Sequence, residues 1–266
     1  MEIPPDYHMH TPLCRHAEGE PTEYAAQAVK LGLTEIGFTE HAPMPEDDFD
    51  NWRMLESEME IYHEKLDQAE KDNPEINILR SLEVDYLPDY TEWIKNLGKR
   101  YEWDYLIGSV HYLGDKWSFD HPDHRDSWNG KDLNSVWSQY YIRLIESVKI
   151  GVFNIIGHCD LIKLFGHRPD CDLAPLWMPF LEEVKRQDIA IEINTGGIKK
   201  PCGEMYPEPA LLEMAANMEV GLTFGSDAHK PERVGENFAE AVALAKLSGF
   251  SHYRRFSGGE FELVPF

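Results

Sequence analysis

The sequence is short of basic residues. It has 25 lysines and arginines against 48 aspartates and glutamates, which gives a formal net charge of −23. A surface this acidic repels phosphate backbones, so we expect no nucleic-acid partner. An anionic substrate would need local positive charge, supplied by a few basic residues or by metal ions.

Long apolar runs are missing as well. No segment approaches 18 consecutive apolar residues, so we expect neither a membrane span nor a membrane partner. The first residues, MEIPPDYH, lack the basic and apolar regions of a secretory signal. These absences predict a cytoplasmic location. The sequence does not indicate any particular protein partner.

Cysteine is scarce and scattered. The four cysteines are Cys14, Cys159, Cys171 and Cys202, and no two of them form a CxxC pair. A zinc site built from cysteines is therefore not expected. In a reducing compartment these residues are most simply free thiols.

Short apolar runs alternate with helical patterns along the whole chain. We predict strands at 7–10, 35–39, 76–85, 105–111, 152–158, 189–194 and 221–227, and helices at 21–31, 54–71, 133–148, 174–185, 209–218 and 238–247. This alternation favours a parallel sheet covered by helices, and short apolar strands suit a barrel. We expect one α/β domain over residues 1–266, with functional loops at 42–53 and 113–131 because long loops often carry function.

Ligand-type side chains recur where the predicted strands end. They are His8, His10, His41, Glu83, His111, His158, Asp227 and His229, with His16 shortly after the first strand. In a barrel these ends converge on one face. A lone histidine there is usually structural, but seven imidazoles and two carboxylates together are costly to bury without compensating charge. Because both groups are ligands of divalent metals, the pattern predicts two or three ions with a bridging carboxylate.

The motifs resemble those of the polymerase-and-histidinol-phosphatase (PHP) superfamily, and most closely its monofunctional histidinol-phosphate phosphatases. The motifs are DYHMHT, GFTEHAP, the strand ending at Glu83, IGSVHYLGDKWSFDHPD, IIGHCDLIK, EINTGGIKKPCGEMYP and GSDAH. They run from Asp6 to His229. The resemblance implies a distorted (β/α)7 TIM-like barrel with a metal site at the C-terminal ends of its strands.

The resemblance also implies three divalent ions, which could be zinc, iron or manganese. The first would take His8, His10, Glu83 and Asp227; the second would share Glu83 and add His111 and His158; the third would take His16, His41 and His229. Each of these positions holds the expected ligand type. The implied activity is hydrolysis of L-histidinol phosphate to L-histidinol and phosphate, in histidine biosynthesis, by a hydroxide that bridges the first two ions.

Further residues are candidates for the substrate and for proton transfer. Lys163, Lys199 and Arg15 could bind phosphate, although each could also be a solvated surface residue. Asp160, two residues after His158, could protonate the leaving oxygen or orient that histidine. Asp120 and Glu204 could bind the cationic end of the substrate, and the loop histidines His121 and His124 could border the pocket.

Three other functions fit parts of the pattern. A broader phosphatase or nucleotide phosphoesterase would use the same metals, but a nuclease should show a basic groove. An amidohydrolase also uses His-x-His on a barrel, although its usual bridging ligand is a modified lysine, where this chain offers Glu83. A metal-binding module without catalysis would not need all nine ligand positions. Turnover of histidinol phosphate compared with that of nucleotides, a dinucleotide and a dihydropyrimidine amide would separate these functions.

Overall fold

A computed structural model describes residues 3–114 and 116–266 of the chain. The strands are β1 (Glu35–His41), β2 (Asn77–Asp85), β3 (Ile107–Ser109), β4 (Tyr112–Leu113), β5 (Trp117–Ser118), β6 (Ile155–Ile156), β7 (Ala190–Asn194), β8 (Gly221–Gly225), β9 (His252–Ser257) and β10 (Glu260–Pro265). The helices are α1 (Pro21–Leu31), α2 (Met59–Asp72), α3 (Thr91–Arg100), α4 (Leu133–Lys149), α5 (Ala174–Arg186), α6 (Pro209–Asn217) and α7 (Phe238–Leu247).

Six strands form one parallel sheet in the order β1-β2-β3-β6-β7-β8, and the sheet curls into a half-barrel with helices between its strands. The predicted α/β alternation is thus confirmed. Two predicted strands, 105–111 and 152–158, are much shorter than expected, because only 107–109 and 155–156 pair with neighbours. Helix α3 and the antiparallel hairpin β9–β10 were not predicted.

The segment at 7–10 is not a continuous strand. It makes isolated bridges at Asp6, to Ile36 of β1, and at Met9, to Ala228 beyond β8. The Tyr7 amide donates to the Phe224 carbonyl at 3.0 Å, so the backbone of this segment is hydrogen-bonded to both edges of the sheet. His8 and His10 are thereby held between the first and last strands.

Local sequence explains where the helices begin and end. Helix α1 starts with Pro21 in its first turn, and Glu20 and Glu23 form a reciprocal capping box. It ends at Gly32, whose φ of 82° is readily adopted by glycine. The predicted helix at 54–71 begins only at Met59, because residues 56–58 form a separate 3-10 turn.

The hairpin β9–β10 packs against the N-terminal ends of the strands. Arg255 of the hairpin pairs with Glu35 at the start of β1 at 3.0 Å, and the Phe256 amide donates to the Tyr7 hydroxyl at 3.1 Å. Tyr7, Tyr105 and Phe256 form a buried cluster at this end. Within the described residues, none of the helices is long and apolar enough to cross a membrane.

Candidate metal centre

Glu83 lies at the centre of a group of histidines. It is buried on β2, directly in register with His41 at the end of β1. The distances from its carboxylate oxygens are 2.8 Å to His158 Nε2, 2.8 Å to His41 Nδ1, 3.5 Å to His8 Nε2, 3.5 Å to His111 Nε2 and 3.7 Å to His10 Nε2. One carboxylate therefore faces five imidazoles.

Asp227 supplies the second carboxylate of the group. Its Oδ1 atom lies 3.2 Å from His10 Nε2 and 3.9 Å from His8 Nε2. Asp227 has a φ of 53°, and His158 has a φ of 24°. Such values are uncommon for residues with a side chain, and strained backbone of this kind concentrates at functional sites.

His16 and His229 lie together on the outer side of the group. Their Nε2 atoms are 2.9 Å apart, and the His41 ring lies 5.3 Å from the His16 ring. The chain turns sharply at Arg15, whose φ is 72°, and this turn directs His16 back toward the strand ends. The buried Cys14 lies beside the same two histidines.

Four histidines have their other ring nitrogen held by a protein acceptor. The Nδ1 contacts are His8 to Glu192 Oε1 at 2.8 Å, His111 to Asp85 Oδ1 at 2.7 Å, His16 to the Cys14 carbonyl at 2.8 Å and His229 to the Asp227 carbonyl at 3.0 Å. Partners of this kind fix the orientation and tautomer of metal-binding histidines. Asp85 and Glu192 are not among the residues predicted for the site, although both are carboxylates within predicted strands.

The charges of the group act on each other strongly. Burial alone would raise the pKa of Glu83, but the imidazoles of His8, His41 and His111 outweigh burial and hold that pKa well below its ordinary value. Burial likewise opposes protonation of His111, yet the carboxylates of Asp85 and Glu83 raise its pKa to about 10. The carboxylates thus create a field that attracts positive charge.

Several buried polar atoms in this group have no hydrogen-bond partner within the described part of the chain. They are His8 Nε2, both ring nitrogens of His10, His41 Nδ1, His158 Nδ1 and Glu83 Oε2. His41 Nδ1 and Glu83 Oε2 are 2.8 Å apart, but they do not have the geometry of a hydrogen bond. Unpaired buried polar atoms are costly, and a divalent cation between them would satisfy imidazole and carboxylate together.

The possible ligand atoms fall into small sets. Within each of three sets, the atoms all lie within 4.8 Å of one another: His8–His10–Asp227, His8–Glu83–His158 and His10–His41–His229. Burial also holds the pKa of His41 and His229 well below the ordinary value, with a further contribution from His10. Neutral imidazole is the form that binds metal, so the residues present fit divalent ions.

The group opens into a cleft of about 820 Å³. Seven of the nine predicted ligands line it, all but the fully buried His8 and His10, together with Trp52, Asp120, His121 and Tyr206. Four basic residues also line the cleft: Arg15, Arg125, Lys200 and Arg233. The structure therefore places most of the predicted ligands at the floor of a cavity large enough for a small molecule.

Lys163 lies outside the cleft wall. Its Nζ atom is buried, 2.8 Å from Asp160 Oδ2 and 3.2 Å from Glu204 Oε2, and it donates to the Met205 carbonyl at 2.8 Å. The three donors of this ammonium group are therefore all engaged within the protein. The structure brings the buried Lys163 and Asp160 together with the exposed Glu204, but none of the three lines the cleft.

The remaining predicted substrate residues are split between the cleft and the surface. Lys199 is exposed and bonded to Glu236, and it does not line the cleft. Arg15 lines the cleft while pairing with Glu58 at 2.5 Å. Asp120 lines the cleft, and burial raises the pKa of its carboxyl. His121 also lines the cleft, whereas His124 turns its Nδ1 toward the Ser118 carbonyl at 3.1 Å.

Comparisons with known proteins agree with this arrangement. Residues 6–196 match the PHP domain. A probable histidinol-phosphatase from Deinococcus radiodurans is 38% identical over 239 residues, which cover 89% of this chain and 90% of that protein. The histidinol-phosphatase of Bacillus subtilis is 31% identical over 255 residues, covering 86% and 95% respectively.

A solved structure shares the fold. The crystal structure of histidinol phosphate phosphatase from Lactococcus lactis, complexed with zinc, L-histidinol and phosphate, superposes with a TM-score of 0.83 at 23% identity. The alignment covers 98% of this chain and 100% of that chain. The matched domain and the two curated relatives show that this chain belongs to the PHP-domain family, among its histidinol-phosphatases.

Proposed function

We propose that this chain is a metal-dependent phosphomonoesterase that hydrolyses L-histidinol phosphate to L-histidinol and phosphate. The observation that carries the proposal is the single buried carboxylate of Glu83 facing five imidazoles at the floor of the cleft. The similarity to named histidinol-phosphatases supports the substrate.

Three divalent ions would be held by nine residues of this chain. His8, His10, Glu83 and Asp227 would hold the first; Glu83, His111 and His158 the second; and His16, His41 and His229 the third. When bound, such ions lower the pKa of water and neutralise phosphate oxygens. The Tyr7–His10 segment, bonded to both sheet edges, would serve as the seventh strand of one barrel domain spanning residues 1–266.

Two basic residues suit the phosphate group best. Lys200 and Arg125 line the cleft, and neither is paired with a carboxylate among residues 3–114 and 116–266. Lys163 and Lys199 are engaged with carboxylates elsewhere. We therefore assign phosphate binding to Lys200 and Arg125, with Arg15 at the cleft edge as an additional cation.

Asp120 is suited to the cationic end of histidinol phosphate. Its carboxyl is half-buried on the cleft wall, and among the described residues its only hydrogen bond from a side chain is a long 3.4 Å contact from Ser118 Oγ. A substrate ammonium group would give the Asp120 carboxylate a positively charged hydrogen-bond donor. Asp160 and Glu204, bound to Lys163, would hold the 196–206 segment that contributes Gly196, Lys200 and Tyr206 to the cleft.

Turnover on a substrate panel tests this proposal. Metal-loaded protein should hydrolyse L-histidinol phosphate with a kcat/KM at least 100-fold above its value for nucleotides, a dinucleotide diester or a dihydropyrimidine amide. A higher value for nucleotides would indicate a broader phosphoesterase. Hydrolysis of the amide alone would indicate an amidohydrolase, and no turnover at all would indicate a metal-binding module.

A further inference from the structure

The loop after β1 ends in a buried arginine. Arg53 is only 4% exposed, and its guanidinium has three acceptors. Its Nε donates to Asp50 Oδ2 at 2.7 Å, its Nη1 to the Ala42 carbonyl at 2.9 Å and its Nη2 to Asp85 Oδ2 at 3.0 Å. A buried cation is stable only when it is paired and hydrogen-bonded, so these contacts fix the position of the side chain.

Two of the three acceptors lead directly to the metal centre. Ala42 follows His41 in the chain. Asp85 uses its second oxygen, Oδ1, to accept from His111 Nδ1 at 2.7 Å and from the His111 backbone amide at 3.2 Å. One guanidinium thus connects the surroundings of two proposed ligands, His41 at the end of β1 and His111 just after β3.

The neighbouring aromatic residue packs against the same ligands. The Trp52 ring lies edge-on to His41 at 4.8 Å and to His111 at 5.7 Å, measured between ring centroids. Arg53 Cζ lies 4.4 Å from the centre of the Trp52 ring, which is within the range of a cation–π contact. The guanidinium therefore holds both the carboxylate behind His111 and the aromatic wall beside it.

We propose that Arg53 is a positioning residue for the metal centre. By holding Asp85 Oδ2, it fixes the carboxylate whose Oδ1 contacts His111 Nδ1, and this contact orients the His111 ring so that Nε2 faces Glu83 at 3.5 Å. By bonding to the Ala42 carbonyl, it also joins the two ends of the 42–53 loop. This inference rests on the proposed metal centre, and it does not depend on which substrate is hydrolysed.

A metal-binding measurement separates positioning from a general contribution to stability. The test compares Arg53→Met with Arg254→Met by titrating Zn²⁺ into chelator-treated protein in competition with a chromophoric chelator. Arg254 is a matched control: it is 6% exposed, pairs with the carboxylate of Asp188 and lies 3.8 Å over the Phe261 ring. Its guanidinium occupies the space that a side chain at Gly221 would need, at the start of β8, whereas the cleft residue Asp227 follows the other end of that strand.

Arg53→Met should weaken the affinity for at least one Zn²⁺ by about 10- to 100-fold, the usual cost of losing an outer partner of a ligand. Arg254→Met should lower Tm but leave Zn²⁺ affinity at the wild-type value. Asp85→Asn should weaken Zn²⁺ binding to a similar extent. The double variant, Arg53→Met with Asp85→Asn, should bind Zn²⁺ little more weakly than either single variant, because the two residues act in one chain of contacts.

Wild-type Zn²⁺ affinity in Arg53→Met, or an equal loss in Arg254→Met, would overturn the inference. If Arg53→Met does not fold, Arg53→Lys keeps the charge but not the three-way contact. A wild-type affinity in that folded variant would likewise overturn it. Zn²⁺ binding without turnover of histidinol phosphate by the wild-type protein would contradict the proposed function and leave this inference intact.

Discussion

Glu83 Oε1 and His158 Nε2 lie 2.8 Å apart, although the two residues are separated by 75 positions in the chain. The second oxygen of the same carboxylate, Oε2, lies 3.5 Å from His8 Nε2 and 3.7 Å from His10 Nε2. Each oxygen of Glu83 therefore faces histidines proposed for a different ion, His158 for the second and His8 and His10 for the first. This arrangement suits the proposed role of Glu83 as the carboxylate shared by the first two ions.

Substitution of Glu83 should be more damaging than substitution of His16. Glu83→Gln keeps the size of the side chain but removes the charge shared by two proposed ion sites. Its kcat/KM should fall by more than the roughly 10- to 100-fold that loss of an outer ligand partner costs. His16→Gln affects only the third proposed site and should retain more activity. Similar high activity in both variants, measured at equal metal loading, would rule out Glu83 as the bridge.

Lys200 should contribute to phosphate binding, whereas Lys199 should not. Lys200→Ala removes a cation from the cleft wall, and a charged hydrogen bond contributes about 1.5–3 kcal/mol. We expect kcat/KM for histidinol phosphate to fall by at least tenfold. Lys199→Ala is the control, since Lys199 is exposed and bonded to Glu236, and exposed ion pairs contribute little. Equal kinetics for the two variants would contradict the assignment of Lys200.

Asp120 should discriminate between substrates. Asp120→Asn removes the charge proposed to face the substrate ammonium group, so KM for histidinol phosphate should rise by about tenfold or more. Hydrolysis of p-nitrophenyl phosphate, which has no ammonium group, should be much less affected. A parallel loss with both substrates would show that Asp120 supports the metal ligands instead of recognising the substrate.

Metal removal should destabilise the protein. Ions that bind only the folded state at 1,000 times their Kd stabilise it by about 4 kcal/mol per site. For a chain of this length, one such site corresponds to a change in Tm on the order of 10 °C. Differential scanning calorimetry of chelated protein, before and after Zn²⁺ is restored, measures this change. An unchanged Tm would show that the ligands do not hold ions tightly.

Much of the fold was predictable because its signals are local. Helix α1 carries proline at its start and glycine just after its end, and both of its predicted boundaries agree with the structure. The β9–β10 hairpin could also have been predicted from the sequence. Its turn contains Gly258 and Gly259, both with positive φ, and paired glycines between apolar runs are a hairpin signal.

The outer contacts of the site were harder to predict because they depend on distant parts of the chain. Asp85 could have been found, since it follows Glu83 by two positions and so lies on the same face of β2. The location of Lys163 could not have been predicted from its place five residues after His158. It depends on ion pairs with Asp160 and with Glu204, which is distant in the sequence. The position of Arg53 likewise depends on how the whole 42–53 loop returns to the sheet.

The most direct test of the account is phosphate release from L-histidinol phosphate during stepwise return of Zn²⁺ or Mn²⁺ to chelated protein, with bound metal quantified in the same samples. We predict that protein with less than one ion per monomer is inactive and that activity reaches its maximum near three ions per monomer. Full hydrolysis of histidinol phosphate by protein that holds less than one ion per monomer would contradict the account.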